Sequence, residues 1–287
     1  MKPGMGVLKA LGLTTLLVCG TQTAFAQDYP ARNITVVVPF PAGGPSDVVA
    51  RIVAEAMGRT LGHTLVIENV GGAGGMSGTA KVAKAMPDGY TMLLSGSAVL
   101  SIVPLMYKTP LYDPNADFEH AALFSDSARV LVVRKDLPAN NLGEFIAYAK
   151  ANQAKMQYGT AGPGSGMHIC AVLLNQAIGA DDVSHVPYRS AGMALADLLG
   201  GRLDYLADQI ATALPQVQSG AVKALATLGV DRAPGLENLP TADELGLKGL
   251  DCGAWASISL PKGTPEIGRA HAELQSPMYL VCRLLLE

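Results

Sequence analysis

Aromatic residues make up only 5% of the 287-residue chain. Stacking of sugars or nucleobases on aromatic platforms is therefore excluded as the main mode of recognition. Charge is also sparse: 16% of residues, net −3, with no basic run or stripe. That removes the electrostatic footprint a nucleic-acid partner needs. After the first 26 residues no uninterrupted apolar run reaches the ~18 residues of a membrane span. Catalytic signatures are missing too. A dinucleotide fingerprint needs G-x-G-x-x-G, but from Gly72 and Gly74 the third position is Ser77; a P-loop needs Gly-Lys, and Gly78 is followed by Thr79. Neither Ser77, Ser97 nor Ser165 sits in G-x-S-x-G, and there is no H-E-x-x-H. His63, His120, His168, His185 and His271 are scattered without metal-ligand spacing. No cofactor, metal site or nucleophile–base pair is expected.

Cysteine is scarce as well. Of four, Cys19 falls in the leader, and Cys170, Cys252 and Cys282 are an odd set. An odd set is not a disulfide framework. We read them as buried free thiols in preference to a Cys170–Cys252 bridge.

What is present is 49% apolar residue content and 32 glycines, enough for one large domain or two lobes. Residues 1–26 read as a secretion signal. Lys2 and Lys9 precede a short apolar stretch to Cys19, and Ala24-Phe25-Ala26 is a cleavage site before Gln27. The periplasm is the expected location; lipidation at Cys19 is the rival reading. Strands and helices then alternate, which implies parallel α/β sheets. The expected lobes are 27–126 for the first part of lobe 1, 127–226 for lobe 2, and 227–266 for the return to lobe 1. Residues 267–287 break the pattern: Pro277 interrupts a helix and Leu284-Leu285-Leu286 has no partner. Gly268–Glu287 resembles translated read-through of a sequencing-library adapter, so we expect an artefact of a truncated gene model there.

Two glycine turns carry the functional reading. Val36–Val38 is a buried-type strand; Pro39 and Pro41 cannot extend it, and Gly43-Gly44 allow a return into a helix that Ser46 or Asp47 can cap. Uncovered amides at a helix N-terminus bind an anion without a cationic side chain. Gly162-Pro163-Gly164-Ser165-Gly166 repeats the design. Facing each other across a cleft, the two turns would hold one carboxylate-bearing small molecule. His168, in the first turn after the second loop, reads equally as a packed or capping residue and as a ligand contact. Asp208 ends a strand at the sheet edge, where it could accept from a ligand or cap the next helix.

The ordered blocks Val38-Pro39-Phe40-Pro41-Ala42-Gly43-Gly44-Pro45-Ser46-Asp47, Val66-Ile67-Glu68-Asn69, Pro87-Asp88-Gly89-Tyr90-Thr91, Leu111-Tyr112-Asp113-Pro114, Tyr158-Gly159-Thr160-Ala161-Gly162, His185-Val186-Pro187-Tyr188 and Asp197-Leu198-Leu199-Gly200-Gly201 span about residues 29–266. Together they resemble the Bug-type (TctC-like) extracytoplasmic receptors of tripartite tricarboxylate transporters. The resemblance implies an α/β, two-lobed, type II periplasmic-binding-protein-like fold, each lobe a mostly parallel sheet flanked by helices. It implies a monomeric receptor, not an enzyme, that captures a small organic acid for a membrane permease. A hydrolase or transferase on the same fold, or a receptor presenting its ligand to a sensor kinase, are the alternatives. The binding residues it implies are Phe40, Ala42, Gly43 and Ser46 from the first turn, Gly162, Ser165, Gly166, Met167 and His168 from the second, and Asp208; Ser97 joins them as a candidate. The second loop of that family usually reads G-T-P-S-H, where this chain has Gly164-Ser165-Gly166-Met167-His168. Met167 replaces a hydroxyl whose hydrogen bond to a charged group is worth roughly 1.5–3 kcal/mol, so a ligand other than a simple dicarboxylate is expected. Pro45 removes one further amide.

Overall fold

The structure, a computed structural model, describes residues 29–268. The signal segment and all but the first two residues of the tail lie outside the described residues. The first lobe opens with β1 (Ile34–Val38), α1 (Pro45–Leu61), β2 (Leu65–Asn69), α2 (Met76–Ala83) and β3 (Thr91–Gly96). A short π-type turn leads into α3 (Val103–Met106), followed by β4 (Phe118–Ser127). The second lobe holds β5 (Arg129–Arg134), α4 (Leu142–Asn152), β6 (Gln157–Thr160), α5 (Gly166–Ile178), β7 (Ser184–Pro187), α6 (Ala191–Leu199), β8 (Tyr205–Gln209), α7 (Ile210–Gln218) and β9 (Val222–Thr227). The chain then returns as β10 (Ala254–Pro261).

Each lobe is a five-stranded sheet, β2-β1-β3-β10-β4 and β7-β6-β8-β5-β9. In both, the fourth strand alone runs against the others: β10 pairs antiparallel with β3 and β4, and β5 with β8 and β9. The chain thus builds the same sheet twice. The β-branched runs explain the central strands. Val36, Val37 and Val38 are buried on both faces, as are Val130 to Val133, which a strand covered by helices on each side requires. Pro39 ends β1, Pro45 opens α1 at its first turn, and Gly62 closes it in the left-handed conformation. Separate cores form in the two lobes, around Ile34, Met57, Met92 and Ile258 in the first and around Leu131, Phe145, Leu174 and Tyr205 in the second. Full burial of each such side chain contributes about 1.5–3 kcal/mol.

β4 ends at Ser127 and β5 begins two residues later in the other sheet. Two expectations are corrected. The return to the first lobe comes after residue 252, not at 227. Leu228, Ala242, Leu250 and Cys252 are part of the second-lobe core, and Leu228 donates its amide to the Arg129 carbonyl. Finally, Cys170 on α5 and Cys252 form a disulfide. The odd count misled: the thiols that pair are those the fold brings together, and parity says nothing of that.

Candidate functional site

The carboxyl ends of the parallel strands of both sheets meet at one cleft, where ligands bind in open α/β sheets. The first turn, after β1, is held from within. Asp47, only 4% exposed, accepts from the Gly43 amide, from Asn69 Nδ2 and, bidentately, from Arg51. Burial pushes its pKa up, but the hydrogen bonds from Arg51, Gly43 and Asn69 outweigh it and hold it below the ordinary aspartate value. Asp47 is therefore not a helix cap; the N-cap of α1 is Gly44, with no side-chain cap. The Gly43 amide, expected to be a ligand donor, is already taken. Gly44 lines the cleft in its place, as does Ser46.

The second turn, after β6, is locked by hydroxyl and imidazole groups. Thr160 Oγ1 accepts from the Gly162 amide, and Ser165 Oγ caps α5 by accepting from the His168 amide. His168 Nδ1 accepts from the Gly164 amide, so its proton sits on Nε2 in the neutral ring. Its ring stacks on His185 at 4.4 Å between centroids. His168 is thus a packing and turn-holding residue. Gly166 and Met167, the first two residues of α5, carry amides that no intrahelical carbonyl can take.

The cleft closes over a cavity of about 100 Å³. By the yardstick of one water-sized sphere per ~10–15 Å³, it suits a compact small molecule, not a polymer. Phe40, Ser46, Ser97, Ser165, Gly166 and Met167 line it, together with Val49, Val99, Trp255 and a ring of serines. Ala42, Gly43, Gly162, His168 and Asp208 do not. Asp208 is fully buried behind the wall, where it accepts from the Gln209 amide and from Thr212 Oγ1. Burial pushes its pKa up to about 6 against those bonds and the charge of Arg129.

The lobes touch around the cavity. A Cβ added to Gly192, at the start of α6, would lie 2.6 Å from the Gly43 carbonyl oxygen; one added to Gly164 would lie 2.4 Å from Met106 Sδ. The structure is that of a closed cleft.

The chain matches the family model of the tripartite tricarboxylate transporter family receptor over residues 49–277. The chain belongs to that family. Its match reaches eleven residues into the tail that the sequence reading sets apart at 267. An Agrobacterium vitis protein of the UPF0065 group is 42% identical over 243 residues, 84% of this chain and 70% of that one. The structure of the periplasmic binding protein BugD is 41% identical with a TM-score of 0.80, covering 90% of this chain and 84% of the other. MatC of Rhodopseudomonas palustris, solved with bound malate, is 36% identical with a TM-score of 0.80, covering 89% and 85%. The family is one of periplasmic solute-binding receptors rather than enzymes. Among the described residues no helix is long and apolar enough to cross a membrane.

Sequence reasoning overlooked Arg129 and Arg189, the two charged side chains in the cavity wall. Arg189 is exposed at the mouth, whereas Arg129 is 6% exposed. A signal for Arg129 existed: it is a lone charge heading the buried run Val130-Leu131-Val132-Val133. Long charged side chains are almost never fully buried without a partner.

Proposed function

We propose that the protein captures a small carboxylate-bearing molecule between its lobes and passes it to the permease of a tripartite tricarboxylate-type transporter. One observation carries the reading: the interlobe cavity has arginine, hydroxyl and helix-N-terminal amide groups in its wall and no aspartate or glutamate. That is a site for an anion. The malate held by the 36%-identical MatC supports the same ligand class. Ser46 and Ser97 face the ligand from the first lobe, and Ser165, Gly166 and Met167 from the second. Asp208 acts from behind the wall, and the turns built on Gly43, Gly162 and His168 position the donors. Closure is a hinge motion at the two crossings between the sheets, near residues 128 and 253, stabilised when the ligand bridges both lobes.

A thermal-shift screen of malate, succinate, adipate and benzoate tests the reading. A ligand at 100 times its dissociation constant stabilises the folded state by about 2.7 kcal/mol. For a protein of this size that raises the melting temperature by roughly 5–10 °C. The expected result is such a rise for at least one acid and none for its neutral amide. No rise with any acid, or an equal rise with the amide, overturns the proposal. Permease subunits co-purifying with the ligand-loaded protein, and not with the ligand-free one, is the expected result for the transport partner.

A further inference from the structure

Arg129 heads β5, one residue past the crossing from the first lobe. Its side chain is enclosed yet reaches the cavity wall. Its Nη2 lies against Gly166: a Cβ there would sit 2.2 Å from it. The guanidinium therefore stands beside the two unclaimed amides at the start of α5. Among the described residues the guanidinium makes no side-chain hydrogen bond and enters no ion pair, and it is in the wall of the cavity. Asp208 is close enough to act on it through space without touching it.

A buried guanidinium without an acceptor is strongly disfavoured. Its five-donor planar fork takes no protein acceptor and is left to whatever occupies the cavity. The Asp208 charge offsets part of the cost, and burial still pulls the Arg129 pKa down to about 10, which leaves it protonated at neutral pH. The acceptor this arrangement lacks has the shape of a carboxylate, which an arginine fork binds bidentately.

We propose that Arg129 is the charged anchor for one carboxylate of the ligand, acting with the Gly166 and Met167 amides at the start of α5. The inference rests on the reading of the cavity as an organic-acid site and adds a specificity-determining residue to it. Recognition is then charge-assisted in the second lobe, in contrast to the expectation of uncharged donors alone. Gly166 is part of the same device, since any side chain there would displace the guanidinium.

Calorimetry on the full chain tests this with two acid–amide pairs, succinate against succinamide and benzoate against benzamide. The wild type is expected to favour the acid of at least one pair by about tenfold or more, as a charged hydrogen-bonded pair implies. In Arg129→Gln that preference collapses, while affinity for the amide stays within about twofold. An acid preference that survives Arg129→Gln overturns the anchor and leaves the organic-acid reading standing. Absence of acid binding in the wild type overturns both. Should Arg129→Gln fail to fold, Gly166→Ala displaces the guanidinium with its charge intact. It is expected to weaken acid binding by about tenfold, and an unchanged acid preference in it overturns the anchor equally.

Discussion

The two sheets share strand order and direction, yet the polar groups between their third and fourth strands differ in kind. Between the third and fourth strands of the first lobe lies a neutral hydroxyl cluster. Ser95 Oγ is 2.7 Å from both Ser257 Oγ and Ser259 Oγ, and Ser259 Oγ is 2.9 Å from His120 Nδ1. His120 Nε2 faces the Pro114 carbonyl, which only accepts. The imidazole proton is therefore on Nε2, and Ser259 must donate to Nδ1. Between the corresponding strands of the second lobe stand Arg129 and Asp208, both buried charges. The turns differ the same way: the first has its anion built in, as Asp47, whereas the second leaves its donors open. The first turn's polar groups are satisfied internally, and on the function proposed above the second keeps its donors for the ligand. A receptor built so can hold its cargo mainly on one lobe and use the other as a lid.

The largest expected effect concerns the covalent tie, which the second lobe has and the first, among the described residues, does not. The Cys170–Cys252 bridge spans 82 residues. Closing a loop of that size in the unfolded chain is worth about 4.5 kcal/mol in the chain-entropy model. The Cys170→Ala, Cys252→Ala double variant should lose that much in denaturant unfolding, and the wild type should lose the same in dithiothreitol. An unchanged midpoint would mean that packing alone holds residues 228–252 on the second lobe. Next comes Asp47→Ala. It strands the Gly43 amide and Asn69 and frees Arg51, which is itself well exposed, so we expect a loss of about 2–3 kcal/mol. Asp47→Asn, which keeps one acceptor, should cost less. If Asp47→Ala is instead neutral in stability and tightens acid binding, the first turn is a ligand site after all, and the contrast between the lobes fails.

Much of this was legible in the sequence because it is written in backbone chemistry. The runs Val36–Val38 and Val130–Val133, the prolines that end β1 and start α1, and the caps Asn141, Ser165 and Ser190 are local signals. They place the strands, the helices and both turns. What escaped is what depends on residues far apart in the chain. Asp47 looks like a cap until Asn69 and Arg51 are brought to it. Asp208 ends its strand as expected, but its side chain turns to Thr212 and away from the cavity. Pairing of Cys170 with Cys252 depends on the 228–252 segment staying with the second lobe. The loss of helical periodicity over residues 118–127 hid a strand whose exposure pattern is irregular because β-bulges interrupt its register with β10.

Closure itself is open to a sharper test. The Gly43 carbonyl of the first turn approaches the α6 backbone where only hydrogen stands on Gly192. Gly192→Ala places a methyl 2.6 Å from that oxygen, closer than any real contact permits, and the obstacle is backbone rather than a flexible side chain. The lobes must part, while each lobe's own packing is untouched. We expect acid affinity to fall by about tenfold with unfolding free energy within about 0.5 kcal/mol of wild type, and a larger radius of gyration in the presence of ligand by small-angle scattering. Unchanged affinity would show that the ligand is held without the first lobe's contact at this point.

The smallest effect is set by pH and belongs to the second turn alone. His185 stacks between His168 and Tyr158, and its Nε2 is 2.6 Å from Thr160 Oγ1. Burial lowers the pKa of both histidines, and for His185 the His168 charge adds to it. Protonating His168 at Nδ1 in the folded state also disrupts the turn, since that nitrogen accepts from Gly164. The sign follows from linkage: with the folded pKa below the unfolded value of about 6.5, the unfolded chain binds more protons as pH falls through that range. The contribution to stability is complete above about pH 6.5 and is lost on acidification through the lower, folded value. The melting temperature of the wild type should therefore drop between pH 7.5 and 5 by more than that of a His168→Gln, His185→Gln variant, in which nothing in this stack titrates. Equal drops would mean that the histidine stack does not set the acid sensitivity in this window; the lowered pKa of Asp47 acts only below the ordinary aspartate range, outside it.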